Sequence, residues 1–287
     1  MHNDPSLHAR ALTRRRRSWG VVSGRPGGAP VLLGAALALG SCAAGTGKGT
    51  DEAQSLAAYD IARDDFQKGR LREALGHVDE ALDFDSGNAD AAYLGAAVMV
   101  GFCAMDARSS DCRFDRAEKY ARMAIDGNAD MRDAKNMLGV ILVHQRRFDE
   151  AIAVLEPLAN DILYSSPEKS WGNLGWAYLQ KGDADRAIDA LRRAVAAQPM
   201  FCVGQYRLGL AYEKKQAYAA AREAFSKAVD NGAPECTRMQ DAFDARARVA
   251  IKQGLREEAR ADLEKCRDIA STTVTGQRCA AQLRTLQ

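Results

Sequence analysis

The chain has 287 residues, of which 47% are hydrophobic and 27% charged. Residues 1–41 hold six arginines and one aspartate of the 40 basic and 38 acidic residues in the chain, so the remainder has 34 basic and 37 acidic residues, a net charge of −3. This mixed, slightly acidic composition argues against nucleic-acid binding, which requires a basic stripe or patch.

Residues 1–41 predict an export signal. A basic cluster at Arg14–Arg17 precedes an apolar run at Val31–Leu39. The run is much shorter than the roughly 20 residues that a helix needs to cross a membrane. A basic segment followed by a short apolar segment is typical of a secretory signal peptide, which the mature protein lacks.

The signal ends in Leu39-Gly40-Ser41-Cys42, which resembles a bacterial lipobox. The resemblance implies cleavage before Cys42 and acyl chains on that residue, whereas the alternative is an ordinary signal with an incidental cysteine. More than one acyl chain gives stable membrane attachment. Because Ala43 is not the aspartate associated with inner-membrane retention, we expect an outer-membrane location facing the periplasm. Residues 42–54 are predicted to be the lipidated cysteine and a flexible tether.

The clearest repeat unit is Ser170–Pro199. Leu174 and Tyr178, and after a break at Gly182 the residues Ala187 and Leu191, have helical spacing. This pattern predicts two short amphipathic helices joined by a tight turn, with small residues where the helices approach closely. Large and small residues in this order are typical of the tetratricopeptide repeat, whose period is 34 residues. An isolated hairpin in another helical fold is the alternative.

The same frame predicts about six repeats over residues 55–270, and Pro157 is predicted to end the second helix of the third repeat early. A last helix within residues 271–287 is expected to cap the open apolar face, as terminal units of solenoids do. The predicted fold is therefore all-α, a tetratricopeptide-repeat superhelix.

Six cysteines follow Cys42 in the chain. Six cysteines allow 15 pairings, but a linear solenoid restricts contacts to neighbouring repeats. We expect the pairs Cys103–Cys112, Cys202–Cys236 and Cys266–Cys279, with buried free thiols as the alternative. Exported proteins commonly form such bonds.

Residues suited to catalysis or metal binding are sparse. After residue 41 the only histidines are His77 and His144, and no zinc-ligand spacing or nucleophile motif occurs. The sequence therefore predicts no enzyme, no metal site, no cofactor and no small-molecule substrate.

The first helix of each repeat is expected to line a concave groove. Offsets 5, 9 and 12 of the repeat give an apolar set with aromatic side chains, which suits helix-in-groove recognition of a partner. The alternative is that tight winding of the superhelix buries several of them. The predicted groove residues are Tyr59, Phe66, Val140, Val143, Trp176, Leu179, Tyr206 and Leu210.

The lipobox, the repeats and the link ILYSSPEKSWGNLGWAYLQKGD between repeats three and four resemble the type IV pilus pilotin lipoproteins of the Tgl/PilF type. The resemblance implies a protein that binds secretin subunits, helps them reach the outer membrane and promotes their assembly into multimers. The alternative function is a periplasmic repeat lipoprotein that acts as an adaptor in outer-membrane-protein assembly or peptidoglycan synthesis.

Overall fold

The computed structural model describes residues 48–286. The predicted signal peptide, Cys42 and the start of the tether lie outside this range. Fourteen helices and no strands occur in the described part, and none of these helices combines the length and apolarity that a membrane crossing requires. The all-α prediction is confirmed.

Twelve of the helices form six antiparallel pairs, in which the helices of each pair pack against each other. The pairs are α1 (Lys48–Gln67) with α2 (Leu71–Phe84), α3 (Ala89–Met105) with α4 (Phe114–Gly127), α5 (Arg132–His144) with α6 (Phe148–Ala159), α7 (Pro167–Lys181) with α8 (Ala184–Ala197), α9 (Cys202–Lys214) with α10 (Tyr218–Val229), and α12 (Gln240–Lys252) with α13 (Arg256–Ile269). The one-turn helix α11 (Pro234–Thr237) precedes the sixth pair, and α14 (Val274–Thr285) packs on α13.

Small residues allow the helices of a pair to approach closely. A Cβ atom added to Gly175 in α7 would lie 2.5 Å from Cγ of Leu191 in α8. Both Ala187 and Leu191 are fully buried. The close approach predicted from the spacing of the fourth repeat is therefore present.

The turns within the pairs share one backbone feature. Gly69, Gly182 and Gly254 have φ values of 75°, 104° and 77°, and Arg146 and Gln216 occupy the same left-handed region at 64° and 58°. These five turn residues define a common register for five of the six pairs.

The second pair departs from this turn. α3 ends at Met105 and α4 begins at Phe114, and a disulfide between Cys103 and Cys112 closes the longer connection. The two other disulfides join Cys202 to Cys236 and Cys266 to Cys279. The structure thus joins the same three neighbouring pairs that we expected from the sequence.

Two boundaries differ from the sequence predictions. α1 begins at Lys48, so residues 48–54 of the predicted tether are helical. The acidic Asp51 in the first turn favours a helix start at this point, because a negative charge stabilises a helix amino terminus. In α6, Pro157 lies inside the helix, which continues to Ala159. A proline in the last turn removes one helical hydrogen bond but leaves most of the helix intact.

Candidate partner-binding groove

The first helices of successive pairs contact one another along the solenoid, from α1 through α3, α5, α7 and α9 to α12. This arrangement puts the first helices on the inner side of the curve and the second helices on the outer side. All eight predicted groove residues belong to first helices.

None of these eight residues is fully exposed. Val143 and Leu179 are only 5% and 6% exposed. They belong to the hydrophobic core and present almost no surface to a partner. The other six are partly buried. Of the eight predicted groove residues, only these six therefore present apolar surface to a partner.

The centre of the groove combines Trp176 with a row of polar side chains. The guanidinium carbon of Arg207 lies 5.2 Å from the centre of the Trp176 ring. Arg207 donates from Nη1 to Oδ1 of Asn173 at 2.8 Å, and Nδ2 of Asn173 donates to Oδ1 of Asn136 at 3.0 Å. The row Asn136–Asn173–Arg207 thus runs across α5, α7 and α9, and we call it the groove ladder.

The groove ladder was not predicted from the sequence, which drew attention only to apolar side chains. Asn173 and Arg207 are 34 residues apart and hold the same position of consecutive repeats. A search of the inner positions for polar side chains would have found them. Amide and guanidinium groups at this spacing can pair with the backbone of a bound peptide.

Tyrosines occupy the amino-terminal part of the groove. Burial raises the pKa of Tyr93 to about 12, with a further contribution from the Asp133 carboxylate. Burial also raises the pKa of Tyr59, whose ring lies 5.5 Å from the Arg63 guanidinium carbon. At neutral pH both phenols are protonated and can donate a hydrogen bond to a partner.

Two side chains attach the link between α6 and α7 to the start of α5. The hydroxyl of Tyr164, which is 5% exposed, donates to Oδ1 of Asp133 at 2.9 Å. Asp161 accepts from Nε of Arg132 at 2.6 Å. The link residues Ile162 and Leu163 are 96% and 72% exposed, so the fixed link holds two apolar side chains in solvent.

Ion pairs fill the carboxyl-terminal end of the groove. Glu213 accepts from both Nε and Nη2 of Arg248, at 2.6 and 2.8 Å. Asp244, which is 2% exposed, accepts from Arg248 at 3.1 Å and from Arg278 of α14 at 2.9 Å. Burial raises the pKa of the neighbouring Tyr206 to about 12. Arg278 of the capping helix therefore helps to neutralise the buried Asp244 carboxylate at this end of the groove.

Asp244 also lies close to Cys266 and Cys279, and its carboxylate oxygen and the two sulfur atoms are within 4.8 Å of one another. The two sulfur atoms are bonded to each other, and the carboxylate has two arginine partners. This cluster is a structural disulfide beside an ion pair and offers no thiolate to a metal.

The two histidines of the described residues both have local structural partners. His77 lies 3.1 Å from a carboxylate oxygen of Glu80. His144 stacks on Phe114, with 4.8 Å between the ring centres.

A family model of the tetratricopeptide repeat matches residues 112–162, 165–199 and 173–235. With the six helix pairs, this match decides the fold. The protein is a tetratricopeptide-repeat solenoid. This scaffold is an interaction fold, and its members bind protein partners. No curated protein sequence matches the chain.

Among solved structures, the solenoid is similar to PilF of Pseudomonas aeruginosa, at 18% identity and a TM-score of 0.62, over 83% of this chain and 100% of PilF. It is also similar to PilW, described as a widely conserved type IV pilus biogenesis factor, at 19% identity and a TM-score of 0.66, over 78% of this chain and 97% of PilW. The Cut9–Hcn1 hetero-tetramer of the APC/C matches at 15% identity and a TM-score of 0.66, over 81% of this chain and 42% of the other. The predicted resemblance to the PilF type is therefore confirmed at the level of the fold.

Proposed function

We propose that this solenoid is an outer-membrane lipoprotein pilotin, which binds secretin subunits of the type IV pilus in its concave groove and promotes their localisation and multimer assembly. The observation that carries the proposal is the superposition on the whole of PilF and nearly the whole of PilW, two pilus-biogenesis solenoids. The lipobox-like sequence ending at Cys42 supports the same function.

The groove suits an apolar segment of a partner protein. Trp176 offers a large, partly buried aromatic surface beside Arg207, and aromatic residues of this kind often dominate binding energy at interfaces. The groove ladder beside the ring would pair with the backbone of the bound segment. Binding in this mode requires no covalent step.

The proposed lipid anchor would deliver the groove to the correct membrane. Acyl chains on Cys42 would attach the protein to the outer membrane, and only residues 43–47 separate that cysteine from α1. This segment reaches at most roughly 20 Å, at about 3.5 Å per residue. The solenoid would therefore stay close to the inner leaflet of the outer membrane.

A gel assay of heat-resistant secretin multimers tests the proposal in cells. We expect multimers to disappear in a deletion strain and to be lost or mislocalised in a Cys42→Ala strain. Pilus-driven motility should fail in both strains, whereas the assembly of other outer-membrane β-barrel proteins and the cell shape should remain normal. Unchanged multimers, with defective barrels or cell shape instead, would overturn the proposal in favour of the adaptor function.

Substitution of Trp176 tests the groove itself. We expect Trp176→Ala to reduce secretin binding by at least about tenfold, which corresponds to about 1.4 kcal/mol, while helical content by circular dichroism is unchanged. Trp176→Phe is the matched control and should retain most of the binding, because an aromatic ring remains. Loss of helical content together with binding in Trp176→Ala would show that the ring belongs to the core.

A further inference from the structure

An open cleft of about 680 Å³ lies between the carboxyl-terminal ends of α8 and α10 and the start of α9. Its walls include the apolar residues Val195, Pro199 and Met200. No predicted groove residue lines it. Its volume is in the range of known small-ligand sites, which is about 300–1,000 Å³.

The residue that borders the cleft from α9 holds a position that varies between the repeats. In the register of the left-handed turns, the position eleven residues before the turn residue holds Ala58 in the first pair, Lys135 in the third, Trp171 in the fourth and Phe243 in the sixth. Both rings pack into the core. The fifth pair has Gln205 at this position, so a polar side chain lies there at the edge of the cleft.

Gln205 is an unusual residue for a packed helix. It is only 6% exposed, it borders the cleft, and its side-chain amide makes no hydrogen bond with any described residue. Its amide atoms still reach the solvent of the cleft, since the buried side-chain atoms without a partner in the described residues belong to Gln253 and Gln282. A ligand in the cleft would satisfy this amide, which both donates and accepts, as a peptide group does.

The mouth of the cleft carries a cation without a counter-ion. Arg192 donates from Nε to the Tyr212 hydroxyl at 2.8 Å. It has no carboxylate partner among residues 48–286. The other charged groups of the cleft are paired, because Lys227 contacts Glu223 at 2.6 Å and Asp230 contacts Arg246 at 2.8 Å. The unbalanced charge at the cleft is therefore positive.

We propose that this cleft is a second peptide-binding site, which takes a large apolar side chain of a partner protein together with an adjacent carboxylate. The apolar side chain would lie against Val195 and Met200. Gln205 would pair with the peptide group, and Arg192 with the carboxylate, which an acidic side chain or a free chain end can supply. Met200 is 53% exposed, and a flexible thioether adapts to side chains of different shape.

Nuclear magnetic resonance of the purified mature protein tests this site, with the side-chain amide signals of Gln205 as the readout. These signals are assigned by their absence from the spectrum of the Gln205→Leu variant. The probes are acetyl-Leu-Glu-amide, acetyl-leucine with its free carboxylate, the neutral acetyl-Leu-Gln-amide, acetyl-Gly-Glu-amide and octanoate. We expect acetyl-Leu-Glu-amide or acetyl-leucine to shift the Gln205 signals and to bind about tenfold more tightly than the neutral peptide. The stronger of these two probes identifies the source of the carboxylate.

Two variants separate binding from folding. Gln205→Phe places an aromatic ring at the edge of the cleft, as Trp171 and Phe243 do in the fourth and sixth pairs, so it should keep the helical content and abolish probe binding. Arg192→Gln should keep the melting temperature and lose the preference for the carboxylate. Trp176→Ala should bind the probes as the wild type does, because the groove is a separate site.

Three results would overturn the proposal. The first is that no probe shifts the Gln205 signals, and the second is that the charged and neutral peptides bind equally. The third is that only octanoate binds, which would assign the cleft to an acyl chain. Since none of these measurements involves secretin, failure here and failure of the pilotin function are independent.

Discussion

Single small residues determine how closely the two helices of a repeat pack. At Gly175 an added Cβ would lie 2.5 Å from Leu191 and 3.2 Å from the carbonyl oxygen of Ala187. Atoms at these distances overlap, and a packed core relieves such overlap only by moving side chains or backbone. By contrast, Gly76 in α2 has no atom within 4 Å of its added Cβ.

This contrast gives a matched pair of substitutions. We expect Gly175→Ala to lower the free energy of unfolding by roughly 1–3 kcal/mol through overpacking. Gly76→Ala should raise it by about 0.5–1 kcal/mol, because alanine favours a helix over glycine. Urea unfolding followed by circular dichroism measures both. Equal effects of the two substitutions would contradict the close approach of α7 and α8.

At the scale of elements, the three disulfides join different kinds of structure. Cys103–Cys112 closes a turn within one pair, Cys202–Cys236 joins the start of α9 to α11, and Cys266–Cys279 attaches the capping helix α14 to α13. The sequence separations are 9, 34 and 13 residues. In the chain-entropy description, a longer closed loop gives more stabilisation.

Replacement of both cysteines of a disulfide by alanine should therefore lower the free energy of unfolding, and the loss should increase with the length of the loop that the disulfide closes. We expect a loss of about 4 kcal/mol for Cys202–Cys236, about 3 kcal/mol for Cys266–Cys279 and about 2.5 kcal/mol for Cys103–Cys112. Urea titrations of the three double variants under identical conditions measure the ranking. A largest loss for Cys103–Cys112 would show that local packing, and not chain entropy, dominates.

At the scale of the whole molecule, buried phenols link stability to alkaline pH. The pKa values of Tyr93 and Tyr206 are raised to about 12 by burial, whereas an unfolded tyrosine ionises near pH 10. Between these values the unfolded chain releases protons that the folded chain retains. The contribution of each phenol is therefore fully present below about pH 10 and is lost as the pH rises towards 12.

We expect the free energy of unfolding to fall by about 1.4 kcal/mol per pH unit for each of these two tyrosines above pH 10. Tyr206→Phe should show a slope that is smaller by one such contribution. Urea unfolding between pH 9 and 11.5, with phenolate absorbance at 295 nm, measures both quantities. Identical slopes for the variant and the wild type would show that Tyr206 ionises normally in the folded state.

The architecture was predictable from the sequence because the repeats place small and large residues at fixed intervals, as in Gly175 and Leu191. The curvature of the superhelix was not, because it depends on how successive pairs pack over long distances. This is why Val143 and Leu179, chosen by their helical offset, are buried. The extension of α1 to Lys48 was missed because the Gly/Thr-rich composition before Asp51 suggested a tether.

The candidate sites were predictable only in part, for a different reason. A search for apolar inner positions finds Trp176 but passes over Asn173 and Arg207, whose role comes from their alignment across α7 and α9. Gln205 gives no signal in the sequence, since the equivalent position holds Ala58, Lys135, Trp171 and Phe243 in the other pairs. That its amide lacks a partner is a property of the packed structure alone.

The connectivity of the disulfides has a consequence for biogenesis. Beyond Cys42, every cysteine is bonded to the next unpaired cysteine along the chain, in the order 103 with 112, 202 with 236, and 266 with 279. A chain that enters an oxidising compartment amino terminus first exposes each thiol just before its correct partner. Simple oxidation in order of emergence then produces the native pairing, with no need for an isomerase to correct it. An unacylated Cys42 would be the first thiol to emerge and would compete for Cys103, so acylation at Cys42 would also protect the fidelity of oxidative folding.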